Sequence, residues 1–174
     1  MTQPENKNRF FLVGFMGVGK TTVGRDLAGR LGVPFYDLDE LIEKHTGMEI
    51  QEIFLRKGEE AFRELETRLL LDLLQREPGV IATGGGTFAR PENRKIIRSA
   101  GMSIWLDAPA ELILRRGGLG EHRPLWGGPE KARALLEQRL PYYREADLRF
   151  DLEGRRADEA AEHLARILGW DDRT

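Results

Sequence analysis

Eight residues near the amino terminus, Gly14-Phe15-Met16-Gly17-Val18-Gly19-Lys20-Thr21, constrain this chain more than any other stretch. Glycine, four variable residues and then Gly-Lys-Thr is the spacing of a loop that curls its backbone N–H groups around phosphate oxygens. Such a loop needs a strand before it and a helix after it. Phe10-Phe11-Leu12-Val13 suits a buried strand, and Val23, Leu27 and Leu31 recur at helical spacing. The helix brings the positive end of its dipole to the same place. Gly17, Val18, Gly19, Lys20, Thr21 and Thr22 are therefore expected to hold the phosphates of ATP, with Lys20 reaching the β- and γ-phosphates and the Thr21 hydroxyl on Mg²⁺.

Short apolar runs alternate with helical patterns along the rest of the chain. Strands are expected at residues 10–13, 33–36, 80–82, 102–106 and 148–152. Helices are expected at 21–31, 38–45, 49–56, 59–75, 91–100, 109–116, 129–143 and 157–168, with Pro141 bending or ending the seventh. This alternation predicts an α/β fold: a three-layer sandwich whose five-stranded parallel sheet carries helices on both faces, with ligands at the carboxyl ends of the strands. Residues 117–128 are glycine-rich and contain Arg123-Pro124, which predicts a mobile lid. Residues 1–8 are polar and expected to be disordered, leaving 9–170 as a single domain.

A phosphate loop alone does not separate kinases from other nucleotide enzymes. A guanine-reading Asn-Lys-x-Asp is absent. Ser103-Ile104-Trp105-Leu106-Asp107 imitates the apolar strand and metal-associated Asp of ATPases, although an Asp capping a turn before Pro109 accounts for it better. Asp37, ending the strand that follows the first helix, is the stronger Mg²⁺ candidate because it lies on the phosphate side of the sheet.

Composition narrows the field. A net charge of −2 over 174 residues gives no extended basic track for nucleic acid. Cysteine is absent, which removes disulfides and thiolate metal sites and suits a reducing cytoplasm. No apolar run is long enough to span a bilayer, and no secretory h-region is present, so a cytoplasmic protein without membrane partners is expected; a monomer that binds no nucleic acid is the further expectation. Residues 115–149 carry eight Lys or Arg against five Asp or Glu, which suits an anionic acceptor beside ATP.

Three further features fall at or beside expected strand ends: Asp37-Leu38-Asp39, Arg63 with Glu66, and Gly84-Gly85-Gly86. With them the chain resembles the shikimate kinases. The matching segments are GFMGVGKTTVGRDLAGRLG, FYDLDELIEKHTGMEIQEIF, GEEAFRELE, ATGGGT, RPLW and QRLPYYREA, in family order over residues 10 to about 156. The resemblance implies ATP-dependent phosphorylation of the 3-hydroxyl of shikimate, on the route to chorismate and aromatic amino acids. Lys20, Asp39 and Arg123 would form its catalytic set. Asp39 would orient the acceptor hydroxyls, Arg63 and Arg139 would hold the carboxylate, and the Gly85 backbone would contact a hydroxyl. Asp37 would assist Mg²⁺, and Glu66 would fix Arg63. Arg123 would reach the ATP phosphates from the lid, and Arg116 and Arg156 would lie near the adenine.

These roles are physically sound. Two planar guanidinium groups give a carboxylate both charge and orientation. Each residue also has a plainer explanation. Arg63 with Glu66 is by default a surface helical pair, Asp37 and Asp39 suit helix caps, and a lone Arg139 would be solvated. His45, His122 and His163 lack metal-ligand spacing. An unperturbed Asp with a pKa near 4 is a weak base, which favours orientation by Asp39 over early proton abstraction. The main rival is another small kinase of the gluconate kinase type. A regulatory nucleotide-binding module is disfavoured because Lys20, Thr21, Asp39 and Arg123 are all intact.

Overall fold

The computed structural model describes residues 8–117 and 124–169. Five strands, β1 (Phe10–Val13), β2 (Phe35–Asp37), β3 (Val80–Ala82), β4 (Met102–Asp107) and β5 (Leu148–Asp151), form one parallel sheet in the order β2-β3-β1-β4-β5. All four residues of β1 are buried, as a central strand covered on both faces requires.

The helices are α1 (Lys20–Leu31), α2 (Leu38–Thr46), α3 (Ile50–Leu73), α4 (Pro91–Ala100), α5 (Ala110–Gly117), α6 (Pro129–Tyr143) and α7 (Ala157–Ile167). Parallel crossovers are right-handed, so the direction of each step across the sheet fixes the face of its helix. The step from β1 out to β2 runs one way, and the steps β2 to β3, β3 to β4 and β4 to β5 run the other. That puts α1 on one face and α3 through α6 on the opposite one, while α7 packs beside α1. Gly24 allows α1 to close on the sheet, since a Cβ there would lie 2.7 Å from the Phe35 ring and 2.9 Å from Leu12.

The expected elements are found with ends shifted by a residue or two. The two helices expected at 49–56 and 59–75 appear as one element, α3, broken at Gly58, whose φ of 83° and ψ of 169° lie far outside helical values. A 3-10 turn at Thr87–Ala89 is additional. Pro141 stands in the last turn of α6 and does not end it early.

The loop after β1 leads to one face, whereas the loops after its neighbours β3 and β4 lead to the other. Crevices at such reversals are where open parallel sheets bind ligands. The phosphate loop after β1 and the glycine triplet after β3 flank one of them.

Candidate active site

The phosphate loop runs from β1 into α1 through Gly17 and Gly19, whose φ angles of 79° and 109° few other residues adopt. Lys20 is buried, and its Nζ donates to the carbonyl oxygens of Gly14 (2.7 Å) and Phe15 (2.9 Å). The ammonium is thus folded back over the loop's own backbone. Thr21 and Thr22 are exposed at the start of α1.

Asp37 combines two tasks that the sequence presents as alternatives. Its Oδ1 caps α2 by accepting from the backbone N–H of Asp39 (3.0 Å) and Glu40 (3.2 Å). Its Oδ2 accepts from the Thr21 hydroxyl at 2.6 Å. A hydroxyl and a carboxylate held together beside the phosphate loop form a hard oxygen set that fits Mg²⁺. Asp107 is engaged elsewhere: Arg149 donates to its Oδ2 from Nε at 2.8 Å and stacks over Trp105. Asp107 is thus paired with Arg149 in place of the turn cap expected before Pro109.

Across the crevice lies a cavity of about 230 Å³. Asp39, Arg63, Glu66, Arg139 and the Gly84–Gly86 loop supply its polar wall, and Met16, Ile50, Phe54 and Phe62 its apolar one. The Phe54 and Phe62 rings sit 4.7 Å apart, and the Arg63 guanidinium lies over Phe62. Pro124 and Leu125 close one side.

Arg63 and Glu66 do not form the surface pair that their spacing suggests. The Glu66 side chain is 0 % exposed and that of Arg63 12 %. Arg63 Nη1 donates to Glu66 Oε1 at 2.9 Å, and the Thr87 hydroxyl donates to Oε2 at 2.7 Å. Thr87 is tied in turn through its carbonyl to Asn93 Nδ2, and Asn93 Oδ1 accepts from the Thr67 hydroxyl. A buried carboxylate is stable only when both oxygens are met, and here both are.

Arg139 is likewise buried, not solvated, and its Nη1 has no hydrogen-bond partner among the described residues. Burial pushes its guanidinium below the ordinary arginine value. An anion in the cavity would supply the partner that this donor needs.

The glycine triplet is cut to these side chains. A Cβ on Gly84 would lie 2.8 Å from Glu66 Oε2 and 3.0 Å from Asp39 Oδ1. On Gly85 it would lie 3.3 Å from Arg139 Nη1, and on Gly86 only 2.4 Å from Arg63 Nη2. Four charged groups thus converge on backbone that has no side chains to displace them.

Burial raises Asp39 to about 7, helped by Glu66 and Asp37 and opposed by Lys20 and Arg63. The expectation of an ordinary carboxylate near 4 is therefore corrected. A base poised near neutrality is well matched to taking up a hydroxyl proton.

The structure brings together Lys20, Thr21, Asp37, Asp39, Arg63, Glu66, Gly85 and Arg139. Arg116 is exposed in the last turn of α5, and Arg156, exposed ahead of α7, pairs with Asp158 through both Nε and Nη2. Arg123 and residues 118–123 of the expected lid lie outside the described residues, as do residues 1–7 of the expected tail, His122, Trp170 and the remaining carboxyl-terminal residues. Sequence reasoning missed Thr87 and the apolar wall of Ile50, Phe54 and Phe62. Only the place of Phe62, one residue before Arg63, hints at that wall in the sequence.

The family model described as shikimate kinase matches residues 16–168. This chain belongs to the shikimate kinase family. A shikimate kinase from Moorella thermoacetica is 43% identical over 159 residues, covering 90% of this chain and 92% of that one. The shikimate kinase from Geobacter sulfurreducens is 43% identical over 171 residues, covering 97% and 94%. Among solved structures, shikimate kinase from Acinetobacter baumannii in complex with shikimate matches with a TM-score of 0.90 at 38% identity, covering 98% of this chain and 97% of that one. The expected shikimate kinase fold, a parallel five-stranded sheet covered by helices, is the fold observed.

Proposed function

We infer that this chain is an ATP:shikimate 3-phosphotransferase, moving the γ-phosphoryl group of ATP to the 3-hydroxyl of shikimate. The observation that carries this reading is the convergence of two guanidinium groups, the largely covered Arg63 and the buried Arg139, on the Gly84–Gly86 loop of a cavity that also holds Asp39. Two arginines suit one carboxylate, the phenylalanine wall suits the face of a carbon ring, and Asp39 suits a hydroxyl. A linear polyol acid such as gluconate would leave the apolar wall uncovered, which favours the cyclic acid.

Asp39 accepts a hydrogen bond from the attacking hydroxyl and takes its proton as the bond to phosphorus forms. Its raised basicity lets it do so near neutral pH. The Gly85 backbone contacts an acceptor hydroxyl, and Glu66 with Thr87 keeps Arg63 aimed at the carboxylate. On the donor side the backbone from Gly17 to Thr22 cradles the phosphates. Lys20 leaves its carbonyl partners for the γ-phosphoryl oxygens, where developing charge must be neutralised.

Thr21 and Asp37 are the residues that would hold Mg²⁺, which supplies charge neutralisation on the phosphates when bound. Arg123, outside the described residues, would serve the ATP phosphates, and Arg116 and Arg156 would flank the adenine. Among the described residues no helix is long and apolar enough to cross a membrane. A cytoplasmic monomer fits this activity.

A coupled ADP-release assay with shikimate, gluconate and nucleoside monophosphates, run side by side, tests the assignment. Turnover with shikimate alone is expected. Faster turnover with either rival acceptor would overturn it.

A further inference from the structure

Tyr143 has no part in the reaction described so far, yet it is buried to 1 % exposure and its hydroxyl donates to the carbonyl oxygen of Gly85. It stands one helical turn after Arg139 on α6. The same turn of helix therefore carries the guanidinium that faces Gly85 and the phenol that grips the carbonyl of Gly85.

The ring is fixed from behind as well. It stacks on Trp105 with centroids 6.1 Å apart and planes at 29°. Trp105 lies on β4 beside Val13, the last residue of β1 before the phosphate loop. A Cβ on Gly85 would approach the backbone nitrogen of Met16 in that loop at 3.1 Å. Gly85 is thus wedged between the phosphate loop and α6, and Tyr143 is what ties it to α6.

A phenylalanine would fill the same space and stack in the same way. Burying a hydroxyl is unfavourable unless it is bonded, so the bond to Gly85, with the Arg139 guanidinium beside the same hydroxyl, is what the tyrosine adds. A trans peptide holds its C=O and the following N–H antiparallel. Pinning the Gly85 carbonyl toward α6 therefore turns the Gly86 N–H away from α6 and sets the plane of the peptide beside Arg63.

We propose that Tyr143 is a positioning residue for the acceptor: its hydroxyl fixes the Gly85–Gly86 peptide against Arg139, so that loop and guanidinium meet the acceptor in one register. The proposal rests on the functional reading above. The phenol, pushed up to about 12 mainly by burial, remains a donor across the working pH range. Tyr143 acts through the loop and through its neighbour Arg139, and touches neither nucleotide nor reacting hydroxyl.

Tyr143→Phe removes the hydroxyl and keeps the ring. With shikimate and ATP varied in turn, it should raise the acceptor KM about 5- to 20-fold, the scale of a lost hydrogen bond and an unmet buried carbonyl. The ATP KM should stay within about two-fold, and the thermal midpoint within a few degrees. In a double variant with Arg139→Lys the two losses should fall short of their product, because both act on one loop. An acceptor KM like the parent's overturns the proposal. So does an equal rise in both KM values with a lowered midpoint, since that is the mark of a merely structural residue. Failure of the parent enzyme to use shikimate would overturn the functional assignment instead, and is seen without any variant.

Discussion

Asp39 and Glu66 face one another across Gly84, at a place where a single added methyl group would press on both carboxylates, 3.0 Å from Asp39 Oδ1 and 2.8 Å from Glu66 Oε2. Glu66 is held at both oxygens by Arg63 and Thr87 and cannot retreat. Asp39 is the freer of the two. A methyl group at this position therefore displaces Asp39, the residue proposed to take the hydroxyl proton.

Gly84→Ala is accordingly expected to cost more in activity than in stability. Overpacking of a buried site costs roughly 1–3 kcal/mol. Turnover should fall by on the order of 10²-fold, because a displacement of Asp39 by a fraction of an ångström spoils alignment with the hydroxyl. Thermal unfolding and steady-state kinetics on one preparation check this. Parent-like turnover in the alanine variant would show that the close approach across Gly84 does not matter.

Asp39→Asn tests both catalysis and pH dependence. Turnover should fall at least about 10²-fold, with ATP affinity nearly unchanged. The carboxyl's folded-state pKa, about 7, lies above its ordinary value of 3.8. Its contribution to stability is therefore fully present below about pH 4 and is lost as pH rises through about 7. An asparagine avoids the cost of the buried charge, so at about pH 8 the variant should be the more stable protein, by roughly 1–3 kcal/mol. Denaturant titrations at about pH 5 and 8 decide it; a variant no more stable at the higher pH would mean that Asp39 is an ordinary carboxylate.

Replacing Arg63 or Arg139 by alanine should raise the acceptor KM far more than the ATP KM. Cutting one partner from a buried charged pair costs roughly 2–5 kcal/mol, so losses on the order of 10²-fold are expected. An acceptor analogue with its carboxylate reduced to an alcohol should bind the parent poorly and lose much less on either replacement. Equal losses for acid and alcohol would assign these arginines to the fold or the phosphates.

Thr21→Val keeps the shape of the side chain and removes the hydroxyl that pairs with Asp37. The Mg²⁺ concentration needed for half-maximal turnover should rise by about 10-fold or more, within the range seen when a metal site loses a supporting group. The acceptor KM should hold steady. An unchanged Mg²⁺ requirement would remove Thr21 from the metal site.

The fold was legible because its signals are local. Phe10-Phe11-Leu12-Val13 reads as a strand buried on both faces, and Gly58 and Pro129 mark breaks and starts wherever they occur. The phosphate loop is legible for the same reason, since its chemistry is carried by adjacent residues. Environment was harder to read. The spacing of Arg63 and Glu66 fits a solvated pair equally well, and only Thr87, brought over them by the turn after β3, makes it a buried one. The basicity of Asp39 was misjudged because it depends on burial and on Glu66, 27 residues away in sequence. The bond from Tyr143 to Gly85 joins segments 58 residues apart and leaves no periodic trace. Arg123, legible as a lid cation, lies outside the described residues.

The three glycines also bear on how this enzyme could change over evolutionary time. Each position in the triplet is shaped by a different charged neighbour: Gly84 by Asp39 and Glu66, Gly85 by Arg139, Gly86 by Arg63. Any single substitution there meets a group already committed to the acceptor. Trimming that group first strips the pocket of its grip while the loop still has nothing to offer in exchange. A lineage drifting toward a neutral sugar would need paired changes in segments far apart in the gene, with an inactive form at either halfway point. The loop with no side chains thus couples any change within it to a change in the charged groups around it.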